Sequence, residues 1–237
     1  MEWSAMNAED LTPESIGQPA IEQTDRSQFI NRTYMHLLGA IFLFAGIEFW
    51  LFQTPYAEQL AIFMLQKSWL AVLGAFIVVS WIASHVAHRV ESKGAQYAAL
   101  AGFVLAEAII FIPMFYIAMA IDPTIIDYAV AITLGAFVVL SAVAMFSGRD
   151  FSFLRTFLMW GGVIALGTIV MGILVGFDLG TYFSMAMIGF AGASILYDTS
   201  KILKVYPEDR YVAAALELFA SIALMLWYVL RFFLSRD

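Results

Sequence analysis

Four carboxylates, Glu48, Glu107, Asp198 and Glu217, stand inside long runs of apolar residues. A charged carboxylate costs about 2.5–3.5 kcal/mol at the centre of a membrane helix on an insertion scale. Four of them facing lipid would cost roughly 10 kcal/mol, which rivals the whole stability of a domain. They must therefore face protein or water, carry a proton, or sit near an interface. Asp198 is the pivot, in the stretch Ile195-Leu196-Tyr197-Asp198-Thr199-Ser200. Two carboxylates held close together in a low-dielectric site cannot both ionise easily. Such a pair makes a pH-gated site: protonated, it closes on a shared hydrogen bond; deprotonated, it repels or takes a cation. A hard cation such as Ca²⁺ wants several oxygens, which carboxylates, hydroxyls and carbonyls supply.

Simpler readings stand beside these. Asp198 can pair locally with Lys201, three residues on, and Glu217 can snorkel to the surface near Arg210. Glu48 lies close enough to Gln53 for an interfacial reading. Glu107 has no such neighbour, because the ten residues on either side are almost entirely apolar.

The elements that must position these groups are helices. Apolar runs fall at roughly 34–53, 69–88, 97–120, 128–146, 154–176, 182–203 and 211–234. Each is near the ~20 residues a helix needs to cross hydrocarbon, and runs this long and continuous satisfy their backbones in lipid only as helices. The expectation is an all-α integral membrane domain of seven transmembrane helices over residues 29–237. With a rise of ~1.5 Å per residue, Asp198 lies about 24 Å along the sixth run from Tyr182. Glu217, two turns into the seventh run, enters from the same side and shares that depth. Glu107 falls near mid-membrane, and Glu48 toward the opposite side. Together they would form a ladder of oxygen ligands.

Composition agrees. The chain is 62% hydrophobic and 13% charged, with mean hydropathy +0.84, whereas a soluble domain is nearer a quarter charged. Residues 1–28 carry six acids and one base, Arg26, so most of the net charge of −7 sits there. With Pro13, Gly17 and Pro19 and no apolar period, that stretch reads as a disordered acidic cytoplasmic tail. The chain has no cysteine, which removes disulfides and thiolate metal sites, and nothing points to nucleic acid. Nine Lys and Arg fall on the side of the N-terminus and three, Lys67, Arg231 and Arg236, on the other. The positive-inside rule then puts the N-terminus in the cytoplasm and the C-terminus outside. Gly161-Gly162, Gly167, Gly172, Gly176, Gly189 and Gly192 read as close-packing faces between helices. His85 and His88, three apart, read as interface histidines, with metal binding or pH sensing as the alternative.

The chain resembles the Bax inhibitor-1 (transmembrane Bax inhibitor motif) family over nearly all its length after residue 28. The resemblance rests on Ile195-Leu196-Tyr197-Asp198-Thr199-Ser200, Ala214-Ala215-Leu216-Glu217-Leu218-Phe219, Gly148-Arg149-Asp150-Phe151-Ser152-Phe153-Leu154, and Glu107 with Pro113. It implies a compact seven-helix bundle with the last helix central, and a pH-sensitive calcium leak gated by two aspartates on helices 6 and 7. Asp198 matches the first aspartate; the second position is Ser221, so the pair is broken. Glu217, four residues earlier on the same helical face, is the candidate replacement, and the two acids would form a transient Ca²⁺ site. Arg89 is a loose counterpart of the family's basic latch. Ser221, the Asp-Thr-Ser run and the terminal Ser235-Arg236-Asp237 are also similar to the bacterial branch that modulates the membrane protease FtsH, where a cytoplasmic tail takes part.

An enzyme is not expected. An intramembrane aspartyl protease needs a second aspartate, and the seventh run has none. A rhomboid-like protease needs a serine nucleophile with a partnered histidine, and neither motif nor histidine is placed for one. A retinal protein needs a lysine between Tyr211 and Leu234, and none is there. The expectation is a pH-sensitive cation leak, with calcium the expected ion and no resident cofactor. Asp198 is its sensor, Glu217 the partner, and Glu107 and Glu48 line the path. The alternative is a regulatory subunit that acts on a membrane protease by contact. The expected location is a bacterial inner membrane.

Overall fold

The computed structural model describes residues 13–67 and 69–235. The chain runs α1 (Pro13–Phe52), α2 (Tyr56–Gln66), α3 (Trp69–Arg89), α4 (Lys93–Ile121), α5 (Thr124–Phe146), α6 (Leu154–Val175), α7 (Gly180–Lys204), a 3-10 turn (Glu208–Arg210) and α8 (Tyr211–Leu234). Among the described residues there is no strand. Six helices, α1, α3, α4, α5, α6 and α8, are long and apolar enough to cross a membrane. The protein is a multi-pass membrane protein. The sixth apolar run becomes α7, which is 25 residues long but carries Ser184, Ser194, Asp198, Thr199, Ser200, Lys201 and Lys204. That polar content leaves it outside the set of candidate spans, so six rather than seven are established by length and composition.

α8 is the axis of the bundle. It packs against α1, α3, α4, α5 and α7, and 78% of its most apolar window is buried. Ala213, Ala214 and Ala215 have no exposed surface, and such small side chains let neighbouring backbones approach closely. Phe219 takes edge-on contacts from Phe44 of α1 and Phe103 of α4, with ring centroids 6.0 and 6.1 Å away. Glycine does similar work elsewhere. Gly161 of α6 lies flat against the Phe190 ring of α7, where a Cβ would come within 2.9 Å of the ring.

Two elements depart from the expected organisation. Residues 13–28, assigned by composition to a disordered tail, open α1, and Pro13 suits a first turn whose N–H groups have no helical partner. Residues 1–12 lie outside the described residues. Arg26 fixes α1 to the far end of α7: its guanidinium donates to the carbonyls of Ile202 at 2.6 Å, Tyr206 at 2.5 Å and Leu203 at 3.3 Å. These are carbonyls a helix end leaves without partners, so Arg26 acts as a cap supplied from another helix. The second addition is α2, an 11-residue helix that buries Ala57, Ala61 and Met64 at a spacing that puts them on one face.

The end of the bundle near Arg26 collects most of the basic residues. There Lys93 donates to the Asp209 carbonyl, Arg210 to the Val90 carbonyl at 2.8 Å, and Lys204 to the Arg149 carbonyl at 2.8 Å. The Gly148–Leu154 loop is anchored to α7 by Ser200 as well, whose hydroxyl accepts from the Phe151 N–H at 3.3 Å. Within that loop the Asp150 carboxyl is held below the usual carboxylate range. The N–H of Ser152 donates to it at 2.9 Å and the Ser152 hydroxyl at 3.1 Å.

Candidate functional site

α7 and α8 run alongside each other, and each presents an acid toward this seam. Asp198 is buried on α7, and the Ser221 hydroxyl of α8 donates to its Oδ2 at 2.6 Å. The two residues of the broken aspartate pair are therefore in contact, with serine supplying one fixed proton where a second carboxylate would have shared one.

Glu217 does not pair with Asp198. Lys201 of α7 donates from Nζ to both Glu217 oxygens at 3.0 Å, and His88 of α3 places Nε2 2.8 Å from Oε1. Lys201 is thus a partner of Glu217, not of Asp198, and Arg210 pairs with Asp209 at 3.2 Å instead of drawing Glu217 to the surface. The physical reason is axial register. Lys201 shares the face of α7 that carries Asp198 but lies nearly one turn further on, and Glu217 lies one turn of α8 before Ser221, so Lys201 meets Glu217 while Asp198 meets Ser221. The His88 Nδ1 faces the Ser84 carbonyl at 2.7 Å, and the Tyr206 hydroxyl lies 2.8 Å from Nε2. Each ring nitrogen therefore faces an acceptor, and only an imidazolium donates from both. Burial, then the Glu217 and Asp198 carboxylates, push the Tyr206 hydroxyl above the ordinary phenol range, so it remains an O–H.

The network ties α3, α7, α8 and the α7–α8 link into one plug. His85 takes no part in it and lies over Trp81, ring centroids 5.6 Å apart. Arg89, the expected latch, is exposed and also takes no part; the residue before it makes the contact. His88, Tyr206 and Arg26 are the positions that sequence reasoning did not place here. A histidine at the basic end of α3 was the one available signal.

Glu217 is unsuited to a divalent cation in this arrangement, because an ammonium already sits against both its oxygens. Among the described residues no group of three or more His, Asp or Glu side chains is arranged to hold a metal. Asp198 and Glu217, expected as a pair, thus hold separate partners: Ser221 for the first, Lys201 and His88 for the second.

Glu107 faces a different space. It is 7% exposed, makes no hydrogen bond or ion pair among the described residues, and lines a cavity of about 640 Å³ among α2, α3, α4, α6, α7 and α8. Ser221 also lines this cavity, and so separates it from Asp198. Arg231, ten residues beyond Ser221 on α8 and so about 15 Å away, stands at the other end and faces Asp178 at 3.5 Å. Pro113 of α4 lines the same space, one of the helix interruptions that membrane helices tolerate where protein surrounds them. Glu48 is apart from all of this. It borders a second cavity of about 310 Å³ among α1, α4, α5 and α8, and both its carboxylate oxygens are sealed by protein and have no hydrogen-bond partner among the described residues. The four carboxylates thus do not form one ladder: Asp198 and Glu217 share the plug, Glu107 the large cavity, and Glu48 its own.

Residues 26–237 match the family described as "Inhibitor of apoptosis-promoting Bax1". Among curated proteins, the chain is 34% identical over 110 residues to an "Uncharacterized membrane protein" of Vibrio cholerae serotype O1. That match covers 46% of this chain and 48% of the relative, about half the length of each.

Proposed function

The chain belongs to the Bax inhibitor-1 family, and from that membership and the site's geometry we propose that it is a pH-sensitive cation leak, with calcium the first candidate ion. The membrane would be a bacterial inner membrane, with the basic end of the bundle in the cytoplasm by the positive-inside rule. α7 would be a seventh crossing that keeps its polar face against α8. The observation that carries the reading is the succession along α8: a cavity bearing Glu107, then the Ser221–Asp198 contact, then Glu217 bound by Lys201 and His88. A cation in the cavity would have one carboxylate ahead of it behind a serine, and a plug of two cationic side chains on an acid beyond that. This is a closed path with a titratable stopper.

The groups facing Glu217 are His88 from α3, Lys201 from α7 and Tyr206 from the α7–α8 link. Loss of the His88 proton removes one of the two positive charges that hold the plug, so alkaline conditions favour opening. Purified protein in calcium-loaded liposomes tests this. A leak that rises with pH and is altered by Asp198→Asn is the expected result, and no leak at any pH from 5 to 8.5 would overturn it.

One observation favours the second reading, regulation of a membrane protease by contact. The large cavity offers few oxygens for a metal ion, and its wall is mostly apolar. Absent flux, together with altered turnover of membrane proteins when residues 1–12 are deleted, would establish that reading instead.

A further inference from the structure

The cavity that Glu107 lines is poorly made for a bare metal ion and well made for something larger. Calcium takes six to eight oxygens. The lining offers the Glu107 carboxylate and the hydroxyls of Ser80, Ser221 and Tyr228, and the Ser221 proton is already given to Asp198. The rest is mostly carbon, with Phe76, Phe103, Phe111 and Trp227 among it; the one cationic side chain in the lining, Arg231, stands at the far end and faces Asp178 at 3.5 Å. Aromatic faces attract organic cations. A volume of about 640 Å³ falls within the ~300–1,000 Å³ usual for pockets that hold small organic molecules.

Two observations specify the charge of the occupant. Among the described residues Glu107 is a nearly buried carboxylate with no cation beside it, which is costly for an ionised acid in apolar surroundings. The Ser80 hydroxyl, in the same lining, is buried without a hydrogen-bond partner among those residues. Glu48 supplies the contrast: its oxygens are sealed, whereas those of Glu107 retain open surface. The way in is lateral. Leu65 of α2 and Leu166 of α6, both in the lining, are exposed on the outside of the bundle, and α3 and α6 touch over only a short stretch.

We propose that this cavity binds amphiphilic ammonium ions taken laterally from the bilayer, the charged nitrogen on Glu107 and Ser80 and the apolar body along the aromatic wall. The proposal uses the cavity of the proposed leak and names a ligand class for it, but it does not require flux.

The test is equilibrium binding of radiolabelled decyltrimethylammonium to the full chain in lipid nanodiscs, with decylammonium and decanol as competitors. Decylammonium should displace the probe at a concentration at least tenfold below decanol, and Glu107→Gln should weaken probe binding tenfold or more. Glu48→Gln should leave it unchanged. Equal potency of amine and alcohol on the unaltered protein would overturn the proposal without any mutant, as would undiminished binding by Glu107→Gln. Calcium flux is read in parallel on the same proteins in sealed liposomes: binding without flux removes the leak and keeps the site, and flux without binding does the reverse.

Discussion

The Ser221 hydroxyl donates to Asp198 Oδ2 across 2.6 Å, so α7 and α8 are joined at a buried carboxylate by a single fixed proton. Both residues are almost wholly inside the protein. Removing the donor leaves a buried acceptor unsatisfied, at a cost of about 1–3 kcal/mol. Ser221→Ala should therefore lower the melting temperature in detergent by several degrees, given roughly 2–4 °C per kcal/mol for a chain of this size. Asp198→Asn keeps an acceptor oxygen for Ser221 and should lower it less. Equal melting temperatures for unaltered and Ser221→Ala protein would show that the contact does not hold the seam.

Close packing of α6 on α7 gives a paired prediction. A Cβ at Gly161 would lie 2.9 Å from the Phe190 ring, but at Gly162 it would meet the ring at an ordinary 3.7 Å. Gly161→Ala must displace the ring and should destabilise by about 1–3 kcal/mol. Gly162→Ala should be neutral or stabilising by up to ~1 kcal/mol, since alanine favours helix. Thermal unfolding of the two variants side by side decides it, and a larger loss at Gly162 would contradict the packing.

How much of this was legible in the sequence depends on which force sets each feature. Hydrocarbon thickness sets helix length, so the apolar runs near 34–53 and 211–234 reappear within α1 and as α8. α2 was missed because its apolar face, Ala57, Ala61 and Met64, serves packing and is too short to read as a span. That Glu107 has no local partner could be read from its neighbours; where Glu217 points could not. Facing across helices depends on rotation and axial register, which two separate stretches of sequence do not fix. Arg26 shows the same limit: by composition it was the lone base of an acidic tail, and in the fold it caps α7.

That cap makes a prediction about the basic end. Arg26 serves three carbonyls just past Lys201, on the segment that also carries Tyr206. Arg26→Gln should cost about 1–3 kcal/mol through carbonyls left unpaired. Amide exchange at residues 202–206 should quicken, and any leak at neutral pH should rise as the plug loosens. Deleting residues 1–12 leaves Arg26 in place and should change neither readout. If that deletion and Arg26→Gln behave alike, the anchoring belongs to the segment before Arg26.

The pH dependence of the plug rests on His88. Its Nδ1 faces the Ser84 carbonyl and its Nε2 the Glu217 carboxylate, so the contact is complete only while the ring carries two protons. An ordinary histidine gives one up near pH ~6.5. The stabilisation is therefore present on the acid side and is lost as pH rises; Tyr206, kept as an O–H by burial and the nearby carboxylates, can then donate to the bare Nε2. Glu217 is left to Lys201 alone, and flux should climb between about pH 6 and 8. His88→Gln cannot bind a second proton at any pH in that range. Its flux should be raised at pH 6 and nearly flat to pH 8. Asp150 is the control: the Ser152 hydrogen bonds hold its carboxyl below the usual range, so whatever it contributes is lost only on more acid titration, outside this window. Asp150→Asn should keep the pH profile of the unaltered protein. A His88→Gln profile that superimposes on the unaltered one would place the sensor elsewhere, with Asp198 next to be tested.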